Sequence, residues 1–230
     1  MTEALTPPKE LASRSKNRWP NESAEYREAR TALLAEEIAL RRHILSVAAQ
    51  RRALPPGGEL PQDYVFDGPE GPERLSELFG DHDTLIVYNM MYGPERKRGC
   101  PMCAALLDAW DGEARHIEKR VSLVVLARSP IGRILAFARD REWTELKFLS
   151  DGTGDYWEDY GGGRDADMPA YTIFTRRDGT VRHFYSGEGG FEIADPGQDP
   201  HAAPDMNPLW VLLDTVPEGR GTDWYPTLDD

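Results

Sequence analysis

Thr84-Leu85-Ile86-Val87-Tyr88-Asn89-Met90-Met91 leads through a loop over residues 92–99 into Cys100-Pro101-Met102-Cys103. The first eight residues read as a buried strand, and the amphipathic run after Cys100 reads as a helix over 101–119. Pro101 suits the first helical turn, where its missing N–H would have no partner in any case. Cys100 therefore falls at the helix cap, its sulfur near the free N–H groups. Cys103, one turn on, is expected to be the more buried sulfur.

That placement suits thiol chemistry. The thiolate is the nucleophile, and a helix N-terminus stabilises an anion by about 0.3 to 1 kcal/mol, up to roughly 2 kcal/mol when partly buried. A pKa lowered by one unit from about 8.5 raises the thiolate fraction at pH 7 from a few per cent to about a quarter. Two sulfurs at this spacing can cycle between dithiol and disulfide, Cys103 resolving whatever mixed disulfide Cys100 forms. Arg96, Lys97 and Arg98 either add to the positive field or form a solvated surface.

A C-x-x-C also begins many zinc sites. Structural zinc needs two further ligands, and there is no second C-x-x-C and no histidine three to five residues after His116. No metal or other cofactor is expected. Cysteines that merely fill a core are the other reading, although a pair bracketing proline at a helix start is an odd filler.

Outward from this centre, short apolar runs alternate with amphipathic stretches, the pattern of an α/β domain. Strands are expected over 64–66, 84–91, 121–127, 147–149, 170–175 and 180–185. Helices are expected over 73–79, 101–119, 131–139, 156–160 and 209–215. Between the last two strands stands Arg176-Arg177-Asp178-Gly179, whose Asp-Gly supplies the positive φ angles of a tight antiparallel hairpin.

Upstream, residues 1–20 carry Pro7, Pro8 and Pro20 among polar side chains and read as a loosely ordered arm. Residues 21–58 form a helical extension closed by Pro55-Pro56-Gly57-Gly58. Its apolar positions suggest a bracket against the main domain or against a second copy of the chain in a homodimer. The α/β domain is expected over 59–230.

The 230 residues carry 27 basic and 40 acidic side chains, a formal net charge of −13, which opposes nucleic acid and anionic membrane surfaces. The N-terminus lacks a secretory apolar run, and no segment approaches the roughly 20 apolar residues of a membrane span. The expected address is the cytoplasm. There, a lone cysteine pair more readily works than staples.

Met168-Pro169 directly precedes the strand at 170–175. The series of strand, Cys-x-x-Cys helix, strand, helix, Met-Pro, hairpin and final helix resembles the thioredoxin fold, a central mixed sheet flanked by helices. The resemblance implies that Pro169 faces the cysteines and that Met168 offers a backbone edge to an extended substrate beside Pro101.

The resemblance narrows on Leu78-Phe79-Gly80, Val87-Tyr88, Gly99-Cys100-Pro101-Met102-Cys103, Ala127-Arg128-Ser129-Pro130 and the run from Leu212 to Gly221. Over residues 21–226 the chain is similar to a bacterial family of functionally uncharacterised, thioredoxin-like proteins with a Cys-Pro-x-Cys centre. Ala104 stands where such proteins often have serine, and Asp155-Tyr156-Trp157 also departs from their pattern. The resemblance implies a fold and a redox role.

The leading expectation is a thiol-disulfide oxidoreductase acting on protein or small-molecule thiols and disulfides through Cys100 and Cys103. A peroxiredoxin-like peroxidase is the first alternative, weakened because Lys97 stands where those enzymes resemble one another in a threonine. The second alternative is a non-enzymatic scaffold or a copper carrier using both cysteines and His183.

Overall fold

A computed structural model of the chain describes residues 5–188, 195–196, 206–221 and 224–228. The chain divides into two compact units, Met1–Pro55 and Pro56–Asp230.

In the first unit a short helix α1 (Pro8–Ser13) precedes a 29-residue helix α2 (Ala24–Arg52). The Ser23 hydroxyl caps α2 by accepting the Tyr26 N–H at 3.0 Å, and Arg51 and Arg52 fill the last turn, where cations suit the dipole. Ala12 of α1 packs with Ala35 and Ile38 of α2. The segment expected as a loose arm thus contains an ordered turn of helix. Its apolar face, Leu11 and Ala12, is too short to register as periodicity.

The second unit contains a seven-stranded mixed sheet. Its elements are β1 (Val65–Gly68), β2 (Gly71–Arg74), β3 (Thr84–Asn89), α3 (Pro101–Ile117), β4 (Ser122–Ala127), α4 (Ile131–Asp140), β5 (Lys147–Ser150), α5 (Asp155–Tyr160), β6 (Ala170–Arg177), β7 (Thr180–Ser186) and α6 (Pro208–Leu213). The strand order is β2-β1-β5-β4-β3-β6-β7. Strands β3, β4 and β5 are parallel, joined by crossovers through α3 and α4, while β6 runs antiparallel to β3 and β7 to β6. This is a thioredoxin-like α/β fold.

Asp178 and Gly179 at the β6–β7 turn have φ of 51° and 76°, as a tight hairpin requires. One expected helix is replaced. Residues 73–79 instead complete the β1–β2 hairpin, with Val65 opposite Arg74, and then turn through a short 3-10 helix, Leu75–Glu77. Gly71, at φ 138°, allows the hairpin reversal that a helical reading overlooks. Leu75, Leu78 and Phe79 are still buried, which explains their apolar spacing.

Alternation along β3 sends its side chains into two cores. Ile86, Tyr88 and Met90 join α3 and α4 on one face, with Leu107, Trp110, Ile134 and Phe137. Leu85 and Val87 join Tyr156, Trp157 and Phe174 on the other. Both cysteines belong to the first core.

Candidate functional site

The polypeptide leaves β3 at the carboxyl end of the parallel strands, where loops of α/β sheets commonly place reactive groups. The Met90 N–H still bonds Leu126 O at 2.8 Å, and the Cys100 N–H returns to Met91 O at 3.0 Å. The loop thereby closes on itself and delivers Cys100 as the N-cap of α3, with Pro101 in the first turn.

Gly99 must be small for this closure. A Cβ there would lie 2.3 Å from Met90 Cε and 2.7 Å from Phe137 Cε1.

Several side chains pin the loop. Ser129 donates its N–H to Tyr92 O at 2.8 Å and its hydroxyl to Gly93 O at 3.1 Å. Arg133 of α4 donates to Pro94 O at 2.9 Å and also to Arg96 O, its guanidinium 5.1 Å from the Tyr92 ring centroid. The Asp167 carboxylate accepts from the Gly93 N–H at 3.0 Å and from Arg96. Arg128 donates to Ala166 O at 3.1 Å. The Ala127-Arg128-Ser129-Pro130 motif therefore helps to fasten the loop before Cys100 and the segment before Met168.

Cys100 is 9% exposed and Cys103 2%, both as free thiols. Cys100 is less accessible than a cap position suggests, because it belongs to the apolar cluster that also holds Tyr92 and Phe137. A hydrogen bond from Cys103, helped by the Met102 and Cys103 N–H groups and the Arg96 charge, outweighs burial and holds the Cys100 thiol down at about 6. The bond to Cys100, together with burial, pushes Cys103 well above the ordinary thiol range. The Met91 N–H donates to Cys103 Sγ at 3.5 Å.

The pairing of β3 with β6 runs to Asn89 opposite Ala170. Pro169 and Met168 thus continue beyond the same end of the sheet from which Met90 and Met91 lead to Cys100. Both are exposed, and Pro101 is half-buried.

His183 lies elsewhere. It sits opposite Phe174 on the second core's face, bonds Ser186 Oγ at 2.9 Å and stacks on Tyr160. The ligand set of the copper-carrier alternative is therefore not assembled, and among the described residues no three acidic, cysteine or histidine side chains form a metal-binding group. Lys97 is exposed on the loop.

Sequence reasoning left Arg96 undecided between field and surface; its ion pair with Asp167 shows it is anchored. It did not single out Tyr88, Arg133 or Asp167 as site residues. Tyr88 was quoted with Val87 only as part of the family resemblance, and strand alternation puts it on the cysteine face.

The sequence profile of DUF899, described as a bacterial protein of unknown function, matches residues 16–230. The chain belongs to the DUF899 family. No curated protein matches this DUF899 member. Among solved structures it is similar to peroxidoxin BcpB from Mycobacterium tuberculosis, at 20% identity and TM-score 0.44, covering 66% of this chain and 92% of that one. It is also similar to a secreted M. tuberculosis disulfide oxidoreductase homologous to E. coli DsbE, at 19% identity and TM-score 0.36, covering 52% of this chain and 80% of the other. A third likeness is reduced Prx3 from Vibrio vulnificus in complex with hydrogen peroxide, at 13% identity and TM-score 0.44, covering 62% and 92%. Among the described residues of this DUF899 chain, no helix is long and apolar enough to cross a membrane.

Proposed function

We propose that the chain is a thiol-disulfide oxidoreductase whose working couple is Cys100 and Cys103. The observation that carries this reading is the division of roles between the sulfurs: Cys100 capping α3 with a thiol held at about 6, and Cys103 buried behind it and held protonated. At neutral pH the pair then carries one negative charge, placed on the outer sulfur.

The reaction follows from that charge. The Cys100 thiolate attacks one sulfur of a substrate disulfide, forming a mixed disulfide and releasing the first substrate thiolate. Cys103 then attacks Cys100 Sγ, the bond to the substrate breaks, and the Cys103 proton leaves with the second substrate thiol. The products are the Cys100–Cys103 disulfide and two reduced substrate sulfurs. In reverse, the same steps oxidise a dithiol.

Pro169 and the backbone of Met168 would bind an extended substrate segment beside Pro101, since an unpaired strand edge offers main-chain donors and acceptors. Partners are then thiols and disulfides of proteins or small molecules.

Reduction of insulin disulfides by the dithiol-reduced protein tests the reading. Cys100→Ser is expected to abolish the activity, and Cys103→Ser to accumulate a mixed disulfide on Cys100. Full activity in Cys100→Ser would exclude Cys100 as the nucleophile.

A further inference from the structure

Residues 224–228 follow α6 in the same unit as the cysteines. From Tyr225 to Leu228 exposed and partly buried residues alternate, Pro226 and Leu228 being the partly buried ones, as in an extended segment lying along a surface. The Trp224 ring meets Trp210 edge to face at 6.1 Å, and Trp210 is fully buried in α6, which lies against α3. At the other end, Leu228 packs on the apolar cluster that contains both cysteines, as do Met91 and Met102. The Arg98 guanidinium donates to Leu228 O at 3.1 Å, two residues before Cys100.

These contacts join the C-terminal segment to the loop that delivers the nucleophile. Cys100 is nearly buried, yet its sulfur must reach a sulfur of the substrate disulfide. A small disulfide needs little room for this. A disulfide carried on a protein brings its surroundings with it, and they collide with a segment lying against the loop. Among the described residues the segment joins no strand of the sheet, and Trp224, Tyr225 and Thr227 are exposed. Segments with so little buried surface open locally at far lower cost than the core.

We propose that residues 224–228 form a strap, fastened through Leu228 and Arg98, that restricts access to Cys100 and so favours small disulfides over disulfides carried on proteins. For its substrates the inference rests on the dithiol reading above. A small reagent reacts with the seated and the released state alike. A bulky one reacts only with the released state, and its rate scales with the released fraction.

Two maleimides of different size, N-ethylmaleimide and a polyethylene-glycol maleimide, probe this on the reduced full-length protein, with labelling of each sulfur followed by mass spectrometry. Their reactive group is the same, so the ratio of their rates at Cys100 reports access and not thiolate content. Leu228→Ser, which removes the apolar anchor, is expected to raise the rate of the bulky reagent about tenfold and that of the small one by less than about threefold. Arg98→Met, which removes the bond to the Leu228 carbonyl, should raise the ratio in the same direction. In both variants Cys103 should stay unlabelled. Insulin reduction by Leu228→Ser should rise about tenfold relative to reduction of oxidised glutathione.

An unchanged ratio in both variants, or equal acceleration of both reagents, would overturn the strap. Labelling of Cys103 alongside Cys100 would overturn it too, since that reports a core loosened throughout. Failure of the dithiol reading looks different: the maleimide ratio would rise as expected, upholding the strap, while neither wild type nor variant reduced insulin or oxidised glutathione.

Discussion

The carboxylate of Asp167 accepts the Gly93 backbone N–H at 3.0 Å, joining the segment that leads into Pro169 to the loop that leads into Cys100. The two stretches lie 74 residues apart in sequence. The same carboxylate holds Arg96, so one side chain sets both the loop's path and the position of its cation.

Replacing Asp167 with alanine should therefore cost stability as well as alter reactivity. A charge-assisted bond to a partly exposed carboxylate is worth about 1 to 2 kcal/mol, and thermal unfolding should show a loss of that order. An unchanged unfolding midpoint together with unchanged Cys100 alkylation would mean that the clamp contributes nothing.

The Cys100 thiol should titrate near pH 6, measured as the rate of iodoacetamide alkylation against pH. Arg96→Gln should move that midpoint upward, lowering the rate at pH 6 by up to about threefold, the effect of about 1 kcal/mol for a screened charge. Stability follows the same group. Between about 6 and the ordinary thiol value, the unfolded chain binds the proton that folded Cys100 has released. The Cys100 contribution to stability is thus complete above the ordinary value and is lost as pH falls through about 6. Cys103, whose thiol is raised, contributes with the opposite sign, and its share is lost as pH rises beyond the ordinary range. Unfolding of Cys100→Ser measured across this window should show the Cys100 slope removed.

Gly99→Ala tests the loop closure. The added methyl would overlap Met90 and the Phe137 ring, and Phe137 is itself packed against Tyr92 and Trp143. Overpacking of this kind costs about 1 to 3 kcal/mol. Alkylation of Cys100 should change together with stability, because the obstructed residue directly precedes the cap. Wild-type behaviour in both measurements would show that the loop has slack at this point.

Much of this architecture was legible in the chain because local signals agreed. Pro101 after Cys100 marked the start of α3, Asp178-Gly179 marked the last hairpin, and the uninterrupted run before Pro55 marked α2. The β1–β2 hairpin was not legible. Leu75, Leu78 and Phe79 have helical spacing, yet they are buried by a 3-10 turn following Gly71, and spacing alone cannot separate the two.

The cysteines stood out as a pair, whereas the groups that govern them did not. Asp167 and Arg133 act through contacts made by tertiary folding, and nothing in their sequence neighbourhoods distinguishes them from ordinary surface residues. The buried position of Cys100 has the same origin, since it belongs to one apolar cluster with Tyr92 and Phe137 from separate elements.

The account depends on Cys100 and Cys103 forming a reversible internal couple. A thiolate held at about 6 stabilises the reduced form at pH 7 by about 1.4 kcal/mol relative to an ordinary thiol, which moves a two-electron couple about 30 mV toward the oxidising side. Equilibration in glutathione buffers, with the Cys100–Cys103 disulfide quantified by mass spectrometry, measures this directly. We predict a single two-electron transition that shifts to a more reducing potential by roughly 30 mV or less in Arg96→Gln, whose cation is one of several groups holding the thiolate. Absence of an internal disulfide at every glutathione ratio, with each sulfur glutathionylated or reduced independently, would contradict it.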